Sequence, residues 1–329
     1  MALIHGISSV ILILLYLLCL ITRYCNTTPK KMIIDTDAGA DDALAIMLAL
    51  MYETKTHDIE ILAITATYGN TYLNNVEQNV LKTLTIANRS DIPVYCGAQK
   101  PLINMYESTD YFGKDGFGDF NFTKTITAKV DKSKHASVLL VELVKQYPDE
   151  ITIVTLGPLT TIAIAIALEP NFLHLVKRHV IMGSSVDSNK IEFNFKHDPE
   201  SDLIALNNTN KPSIILPSDT VYANSISKEE YRNIYSNLDV SIANFLYQAE
   251  RIGLEKTEMW EPADGIAMAS ALQPEIITEY CKTYLKPVIV GDARGSVVKD
   301  LDNNQVSNAE IIQNINVTIF KNLLLEYLS

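Results

Sequence analysis

The chain is built around one stretch, Ile33-Ile34-Asp35-Thr36-Asp37-Ala38-Gly39-Ala40-Asp41-Asp42-Ala43, in which an apolar run meets an apolar helix-forming segment at a glycine. This pattern predicts a strand that turns into a helix. Four carboxylates, those of Asp35, Asp37, Asp41 and Asp42, fall within eight residues. Open α/β sheets bind ligands at the carboxyl ends of their strands, and clustered carboxylates repel one another unless a cation lies among them. We therefore interpret the stretch as a site for a hard metal ion.

The ligand type indicates which metal this is. Aspartate oxygens without a nearby Cys or His favour Ca²⁺ or Mg²⁺ and disfavour zinc. The spacing differs from that of an EF-hand loop, because the twelfth position counted from Asp35 is Ile46 instead of a bidentate Glu. The alternative is a plain helix cap with solvated neighbours, which explains one carboxylate of the four.

The motif Asp35-x-Asp37-x-Gly39-x-Asp41-Asp42-Ala43 after an apolar strand resembles the signature of the nucleoside hydrolases of the inosine-uridine-preferring type. Later segments agree in order, so the resemblance covers roughly residues 31–329. It implies an α/β, Rossmann-like fold with an open, mostly parallel central sheet and helices on both faces. It also implies calcium-dependent hydrolysis of the N-glycosidic bond of ribonucleosides to free base and ribose. The implied cofactor is Ca²⁺ and the implied partner is a small-molecule ribonucleoside; homo-oligomers are common for this fold.

Strands and helices alternate along the chain in the βαβ rhythm of a parallel sheet. The predicted strands are 59–67, 93–96, 151–155, 179–182 and 213–216, with two more at 284–290 and 314–319 before a short C-terminal helix. The predicted helices after the first are 74–88, 136–146, 228–235 and 241–252. No Pro/Gly/Ser-rich linker or repeat interrupts residues 26–329, which we predict to be a single domain.

The resemblance assigns the metal site and the catalytic groups. The implied calcium ligands are Asp37, Asp42, the backbone carbonyl of Leu156, and Asp264. Asp37 is also the implied base, and Asn70 is implied to contact the attacking water. Without the resemblance, Asn70 and Leu156 are typical turn residues, and Asp264 is a helix cap before an apolar segment.

A second group of residues is expected to hold the sugar. The spacing of Glu192 and Asn194 places both on one side of an extended backbone, which suits hydrogen bonding to a polyol. The resemblance implies that these two bind the ribose hydroxyls together with Asp41, and that Asn189 contacts the 5′-hydroxyl. The alternative is that Glu192 and Asn194 are solvated strand residues.

The base-binding side departs from the family pattern. Ala263 stands where many members carry a His that is a candidate acid for the leaving base, so this acid is unassigned and Trp260 is a candidate for stacking. Phe112 lies in an irregular glycine-rich stretch, 104–134, at a position where the family often has His. Its ring either stacks on a base or packs in the core. Purine and pyrimidine preference therefore stays open.

Two other functions are compatible with parts of the sequence. Asp35-x-Asp37 after a strand is also similar to the motif of haloacid-dehalogenase phosphatases, which use Mg²⁺. Those enzymes have Thr or Val at the position of Gly39, and they do not account for Asp41-Asp42 or for Glu192-Phe193-Asn194. The second alternative is a secreted nucleoside-binding protein with weak or no catalysis, which the absence of His at residue 263 suggests.

The N-terminus predicts entry into the secretory pathway. Residues 7–21 are nearly all apolar and have the length of a signal-peptide core, so 1–25 is a signal peptide or a retained signal anchor. Five Asn-x-Ser/Thr sequons agree with secretion; they begin at Asn26, Asn88, Asn121, Asn207 and Asn316. We expect no stable membrane association once the leader is cleaved.

Net charge and cysteine content limit the kinds of partner and the disulfides that the protein can have. The formal net charge is −12, with 27 Lys and Arg against 39 Asp and Glu, which disfavours a nucleic-acid partner. Cys96 and Cys281 are the two cysteines of the predicted domain beyond the leader region. They form either one disulfide or two free thiols.

Overall fold

The structure is a computed structural model that describes residues 28–187, 190–302 and 304–329. Two predictions, the leader at 1–25 and the sugar contact by Asn189, lie outside these described residues. None of the described helices combines the length and the apolar character that a membrane span requires.

The described residues alternate between strands and helices. The strands are β1 (Lys30–Thr36), β2 (Ile59–Ala66), β3 (Val94–Cys96), β4 (Val130–Asp131), β5 (Ile151–Thr155), β6 (Arg178–Met182), β7 (Ser213–Leu216), β8 (Ile226–Ser227), β9 (Met259–Trp260), β10 (Ile277–Thr283), β11 (Leu285–Pro287), β12 (Val297–Lys299) and β13 (Ala309–Ile315). The helices are α1 (Ala40–Thr56), α2 (Leu73–Ile86), α3 (Ala136–Gln146), α4 (Thr160–Leu168), α5 (Phe172–Leu175), α6 (Phe193–His197), α7 (Pro199–Ala205), α8 (Ser218–Ala223), α9 (Lys228–Tyr235), α10 (Val240–Leu254), α11 (Ala263–Leu272) and α12 (Val317–Leu328), with a 3₁₀ turn at Pro274–Ile276.

Nine of these strands form one sheet in the order β10-β13-β7-β6-β5-β1-β2-β3-β4. All neighbours are parallel except β10 and β13, which confirms the mostly parallel sheet. The strand order reverses between β1 and β5. In open α/β sheets, the crevice at the carboxyl ends of such a pair is where ligands bind. The motif that follows β1 therefore lies at this crevice.

Helices cover both faces of the sheet. Ile33 and Ile34 are consecutive residues of β1, and they belong to two different hydrophobic clusters because strand side chains alternate between faces. Helix α1 is buried continuously from Asp42 to Leu50, between the sheet and helices α10, α11 and α12. This packing fixes the first turn of α1, and with it the aspartates, at the crevice.

The predicted C-terminal strands were wrong in their boundaries. The strand expected at 314–319 is β13, which ends at Ile315, because the Asn316 side chain accepts hydrogen bonds from the backbone N–H groups of Thr318 and Ile319 and so begins α12. The strand expected at 284–290 is the short β11, which pairs with β12 in a separate hairpin.

The two cysteines of the domain are free thiols. Cys96 lies on β3 and Cys281 on β10, with six strands between them in the sheet. Neighbouring strands are about 4.8 Å apart, so this separation is on the order of 30 Å and excludes a disulfide between Cys96 and Cys281. The Cys96 thiol instead donates to Glu77 at 2.9 Å.

Candidate active site

Asp37 lies directly beyond β1 in a confined space. Its Oδ2 accepts a hydrogen bond from the backbone N–H of Asn70 at 2.6 Å, whereas its Oδ1 is buried and has no partner among the described residues. A Cβ atom on Gly69 would lie 2.0 Å from Asp37 Oδ2, and one on Gly157 would lie 2.9 Å from Asp37 Oδ1. Only glycine allows the backbone to approach this carboxylate so closely.

Asp42 holds the start of α1. Its Oδ2 accepts from the backbone N–H of Gly39 at 2.8 Å and from the Asn70 side-chain amide at 3.1 Å, and its Oδ1 accepts from the Thr36 hydroxyl. Asn70 therefore contacts both aspartates, Asp37 through its backbone and Asp42 through its side chain. The structure places all three at the carboxyl ends of β1 and β2.

Asp264 completes the group from a distant part of the chain. It is buried in the first turn of α11, and one oxygen each of Asp41, Asp42 and Asp264 lies within 4.8 Å of the other two. Burial first, and then the charges of Asp41 and Asp42, raise the pKa of Asp264 well above its usual range. Burial and Asp42 likewise raise the pKa of Asp41 to about 8. We call Asp37, Asp41, Asp42 and Asp264 the acidic cluster.

The donor set of the acidic cluster fits a divalent cation. No Lys, Arg or His among residues 28–187, 190–302 and 304–329 forms an ion pair with these carboxylates. Asp37 Oδ1 and Asp41 Oδ1 are buried without a hydrogen-bond partner in this part of the chain. Buried, unpaired carboxylate oxygens are costly in free energy, and hard divalent cations are their usual partners in proteins.

The Leu156 carbonyl lies at the carboxyl end of β5, next to the acidic cluster in the sheet order. It accepts a hydrogen bond from the Asn194 side-chain amide at 2.7 Å, and the same amide donates to the Met182 carbonyl at 3.1 Å. Asn194 therefore links the carboxyl ends of β5 and β6. This arrangement leaves the Asn194 Oδ1 without a protein partner in the described region.

The predicted extended backbone at Glu192 and Asn194 was wrong. Helix α6 begins at Phe193, because the Glu192 carboxylate accepts hydrogen bonds from the backbone N–H groups of Asn194 and Phe195 at 2.9 and 3.0 Å. A third N–H, that of Ser184, donates to it at 3.0 Å. Burial raises the pKa of Glu192 to about 7, although these N–H groups act in the opposite direction.

A cavity of about 440 Å³ opens over these groups, within the size range of small-molecule sites. The predicted site residues in its wall are Asp41, Asn70, Leu156, Glu192, Asn194, Trp260 and Asp264. Asp37 and Asp42 are fully buried and contact the cavity through Asn70. The structure thus brings all described members of the predicted site together.

Trp260 and Phe112 occupy different positions in the cavity wall. The Trp260 ring is 4 % exposed, packs 5.0 Å from the Tyr231 ring, and donates through Nε1 to Glu250 at 3.2 Å. It is a core side chain with an edge at the cavity. Phe112 is half-buried, lines the cavity and packs against the main core. Its core contacts agree with one of the two roles considered for it, and stacking on a base stays a prediction.

Sequence reasoning missed several residues of the cavity wall. Tyr111 and Tyr222 contribute aromatic rings to the same cavity wall as Phe112, and we call these three residues the aromatic wall. Glu250 and Glu261 add two further carboxylates. The only sequence signal for any of them was the irregular stretch 104–134, which contains Tyr111 and Phe112.

This stretch is fixed over the cavity by hydrogen bonds to the rest of the domain. The Tyr106 hydroxyl donates to the Gly69 carbonyl at 2.6 Å, and Arg251 donates twice to the Gly118 carbonyl, at 2.7 and 2.9 Å. Lys256 of the α10–β9 connection donates to the Tyr111 carbonyl at 2.7 Å. Hydrogen bonds therefore hold the irregular backbone that carries Tyr111 and Phe112 of the aromatic wall.

The amino-acid sequence is similar to a family model and to several curated proteins. The family model described as inosine-uridine preferring nucleoside hydrolase matches residues 32–322. A protein named probable uridine nucleosidase 2 from Arabidopsis thaliana is 38% identical over 180 residues, 52% of this chain and 54% of that protein. An inosine-uridine preferring nucleoside hydrolase from Leishmania major is 36% identical over 185 residues, 54% of this chain and 57% of that protein. The chain thus spans about half the length of the curated relatives it matches.

A solved structure extends the similarity over nearly the whole domain. An inosine-guanosine nucleoside hydrolase superposes with a TM-score of 0.81 at 26% sequence identity. The match covers 91% of this chain and 98% of that one. The open sheet and its helices are therefore those of a known architecture.

Proposed function

The chain belongs to the inosine-uridine preferring nucleoside hydrolase family, and on this premise we propose that it hydrolyses the N-glycosidic bond of ribonucleosides to free base and ribose, with calcium at the acidic cluster. The observation that supports this function most directly is that three carboxylates from two separate segments, those of Asp41, Asp42 and Asp264, converge within 4.8 Å at the cavity. None of them forms an ion pair with a Lys, Arg or His among the described residues.

Calcium is the metal that suits these ligands best. Asp37, Asp42, Asp264 and the Leu156 carbonyl offer only oxygen, which includes a neutral main-chain donor that calcium accepts readily. Calcium bound there would offset the repulsion among the carboxylates and make a nearby water more acidic.

The side chains around the cluster have roles that follow from their contacts. Asp37 has one free oxygen and a raised pKa, so it is suited to accept the proton of the attacking water. Asn70 is held against both Asp37 and Asp42 and orients the water.

The ribose hydroxyls have a separate set of partners. Asp41 accepts from one of them, because its buried Oδ1 has no protein donor in the described region. Asn194 and Glu192 lie fixed on α6 and bind the others. Held orientation of reacting groups contributes up to roughly 7–11 kcal/mol in favourable intramolecular models.

The first test is ribose release from inosine, adenosine, uridine and cytidine, measured before and after calcium is removed with a chelator. We expect release that is lost with the chelator and restored by added calcium, because the carboxylates cannot all remain ionised without a cation. Phosphate release from a phosphomonoester would instead identify a phosphatase. Nucleoside binding by calorimetry without any ribose release would identify a binding protein.

We also propose that the protein is secreted and glycosylated. The four sequon asparagines within the described residues, Asn88, Asn121, Asn207 and Asn316, are all exposed, as an attached glycan requires. Expression in secretory cells, followed by mass measurement before and after enzymatic removal of N-glycans, tests this. A cell-retained protein whose mass does not change would contradict it.

A further inference from the structure

The departing base needs a proton, and the residues considered so far do not supply one. Cleavage of the C1′–N bond leaves negative charge on the base unless an acid neutralises it. Ala263 has no exchangeable side-chain proton, and the described histidines all lie outside the cavity wall. We propose that the Glu261 carboxyl group is this acid, an inference that rests on the hydrolase function proposed above.

The position of Glu261 in the chain aims it at the cavity. It directly follows β9, where side chains alternate between faces, so that Trp260 packs mainly in the core with an edge at the cavity and Glu261 lines the cavity. Pro262 then caps α11, which carries Asp264. One short segment thus delivers both a member of the acidic cluster and a carboxyl group to the same cavity.

Glu261 is available for contact with a ligand. Its side chain is half-buried and makes no hydrogen bond or ion pair with any other described residue, in contrast to Glu192 and Glu250, which each accept three hydrogen bonds. Burial raises the pKa of Glu261, against the opposing effect of Lys190. A raised pKa is typical of the carboxyl group that acts as the acid in glycosidases.

The other proton donors in the wall are weaker candidates. Tyr111 and Tyr222 flank Glu261 closely enough for its charge to raise the pKa of both phenols. The pKa of Tyr111 is raised to about 12 by burial and by Asp41, so its phenol gives up a proton reluctantly. An acid is most effective when its pKa is close to the working pH, which favours the carboxyl group.

The C1′–N bond breaks with its electron pair going to the base, and the Glu261 proton neutralises the charge that results. A bond forms between a water oxygen and C1′, and the water proton passes to Asp37. Solvent then reprotonates Glu261 and takes the proton from Asp37, so that the net reaction is nucleoside plus water to base plus ribose.

The test compares two substrates in Glu261→Gln. One is the fastest of the four ribonucleosides, and the other is 4-nitrophenyl riboside, whose phenolate leaves without a proton. We expect kcat for the nucleoside to fall by about 100-fold or more and kcat for the nitrophenyl substrate to change by less than about threefold. Glu258→Gln, an exposed carboxyl three residues earlier, is the matched control and should match the wild type on both substrates.

Each other result rejects the proposal. Unchanged nucleoside turnover in Glu261→Gln, a change in KM alone, or a parallel loss on both substrates would show that Glu261 binds or supports the site without donating the proton. In these cases the wild type stays active and the hydrolase function stands. If the wild type cleaves neither substrate in the presence of calcium, the hydrolase function fails first, and the role of Glu261 fails with it.

Discussion

The acidic cluster and the aromatic wall face the same cavity but are built differently. Three of the four carboxylates of the cluster follow one strand within six residues, and α1 fixes them at the edge of the sheet. The aromatic wall takes Tyr111 and Phe112 from an irregular stretch and Tyr222 from α8. In the proposed function, the groups assigned to bond breaking therefore lie on the rigid sheet edge, whereas the groups assigned to the base come from segments that can vary independently.

The largest effect should follow from a change of one atom in the cluster. In Asp37→Asn, we expect kcat to fall by about 10³-fold or more, because the base and one metal ligand are lost together. The fold should persist, since the Asn oxygen can still accept the hydrogen bond of the Asn70 N–H. Steady-state kinetics and thermal unfolding measure both properties.

Asp58→Asn is the control for Asp37→Asn, because Asp58 is exposed and lies outside the cavity wall. It should retain wild-type kcat. If Asp37→Asn also retained it, Asp37 would not be the base. The acidic cluster would then lack the catalytic base that distinguishes it from the aromatic wall.

The sequence predicted the acidic cluster better than the aromatic wall for a physical reason. Asp37, Asp41 and Asp42 are close in the chain, so their proximity in space is almost guaranteed by local geometry. Tyr222 and Glu261 meet the cavity only because β7 and β9 end beside it, and neither residue belongs to a periodic pattern that signals this.

The fold, like the acidic cluster, was largely predictable from the sequence. The βαβ rhythm gave the parallel sheet, because hydrophobic periodicity is set by burial. Two of the errors fell where a side chain bonds to the backbone: Glu192 begins α6 and Asn316 begins α12. The helix start at Asn316 could have been predicted, because Asn is a favoured helix N-cap. The start at Glu192 could not, because Glu is an unusual N-cap.

The second prediction concerns Glu250, a buried carboxylate of the cavity wall that is fully hydrogen-bonded. Burial raises its pKa from 4.5 to about 7, so the folded state holds this proton more tightly than the unfolded state does. Its contribution to stability is complete below about pH 4.5 and is lost as the pH rises through about 7, a change of about 3 kcal/mol.

Glu250→Gln removes this dependence, because Gln cannot ionise. Relative to the wild type, the unfolding free energy of the variant should rise by about 3 kcal/mol between about pH 4.5 and 8, as measured by denaturant unfolding. The exposed Glu255→Gln should show no such change. A Glu250→Gln profile parallel to that of the wild type would mean that Glu250 titrates normally in the folded protein.

The third prediction tests whether the cluster depends on close backbone approach. Gly69→Ala alters no chemical group of the site, but its Cβ would lie 2.0 Å from Asp37 Oδ2 and must displace that carboxylate. We expect kcat to fall by about 100-fold, the effect of a misplacement near 1 Å.

Gly291→Ala is the matched control for Gly69→Ala. Nothing lies within 4 Å of the added Cβ, and a φ of +73° costs only about 1 kcal/mol of stability. Its kcat should stay at the wild-type value. A wild-type kcat in Gly69→Ala as well would mean that Asp37 tolerates displacement.

The smallest effect should come from the aromatic wall. In Phe112→Ala, we expect KM for the nucleoside to rise about tenfold with kcat nearly unchanged, because a ring in the wall binds the base equally in the ground and transition states. Phe122→Ala is the control: Phe122 lies in the same irregular stretch and packs on Phe120 and Phe245, away from the cavity wall. If Phe112→Ala instead lowered kcat with KM unchanged, the ring would position the reacting bond. The assignment of bond breaking to the acidic cluster and of base binding to the aromatic wall would then be wrong.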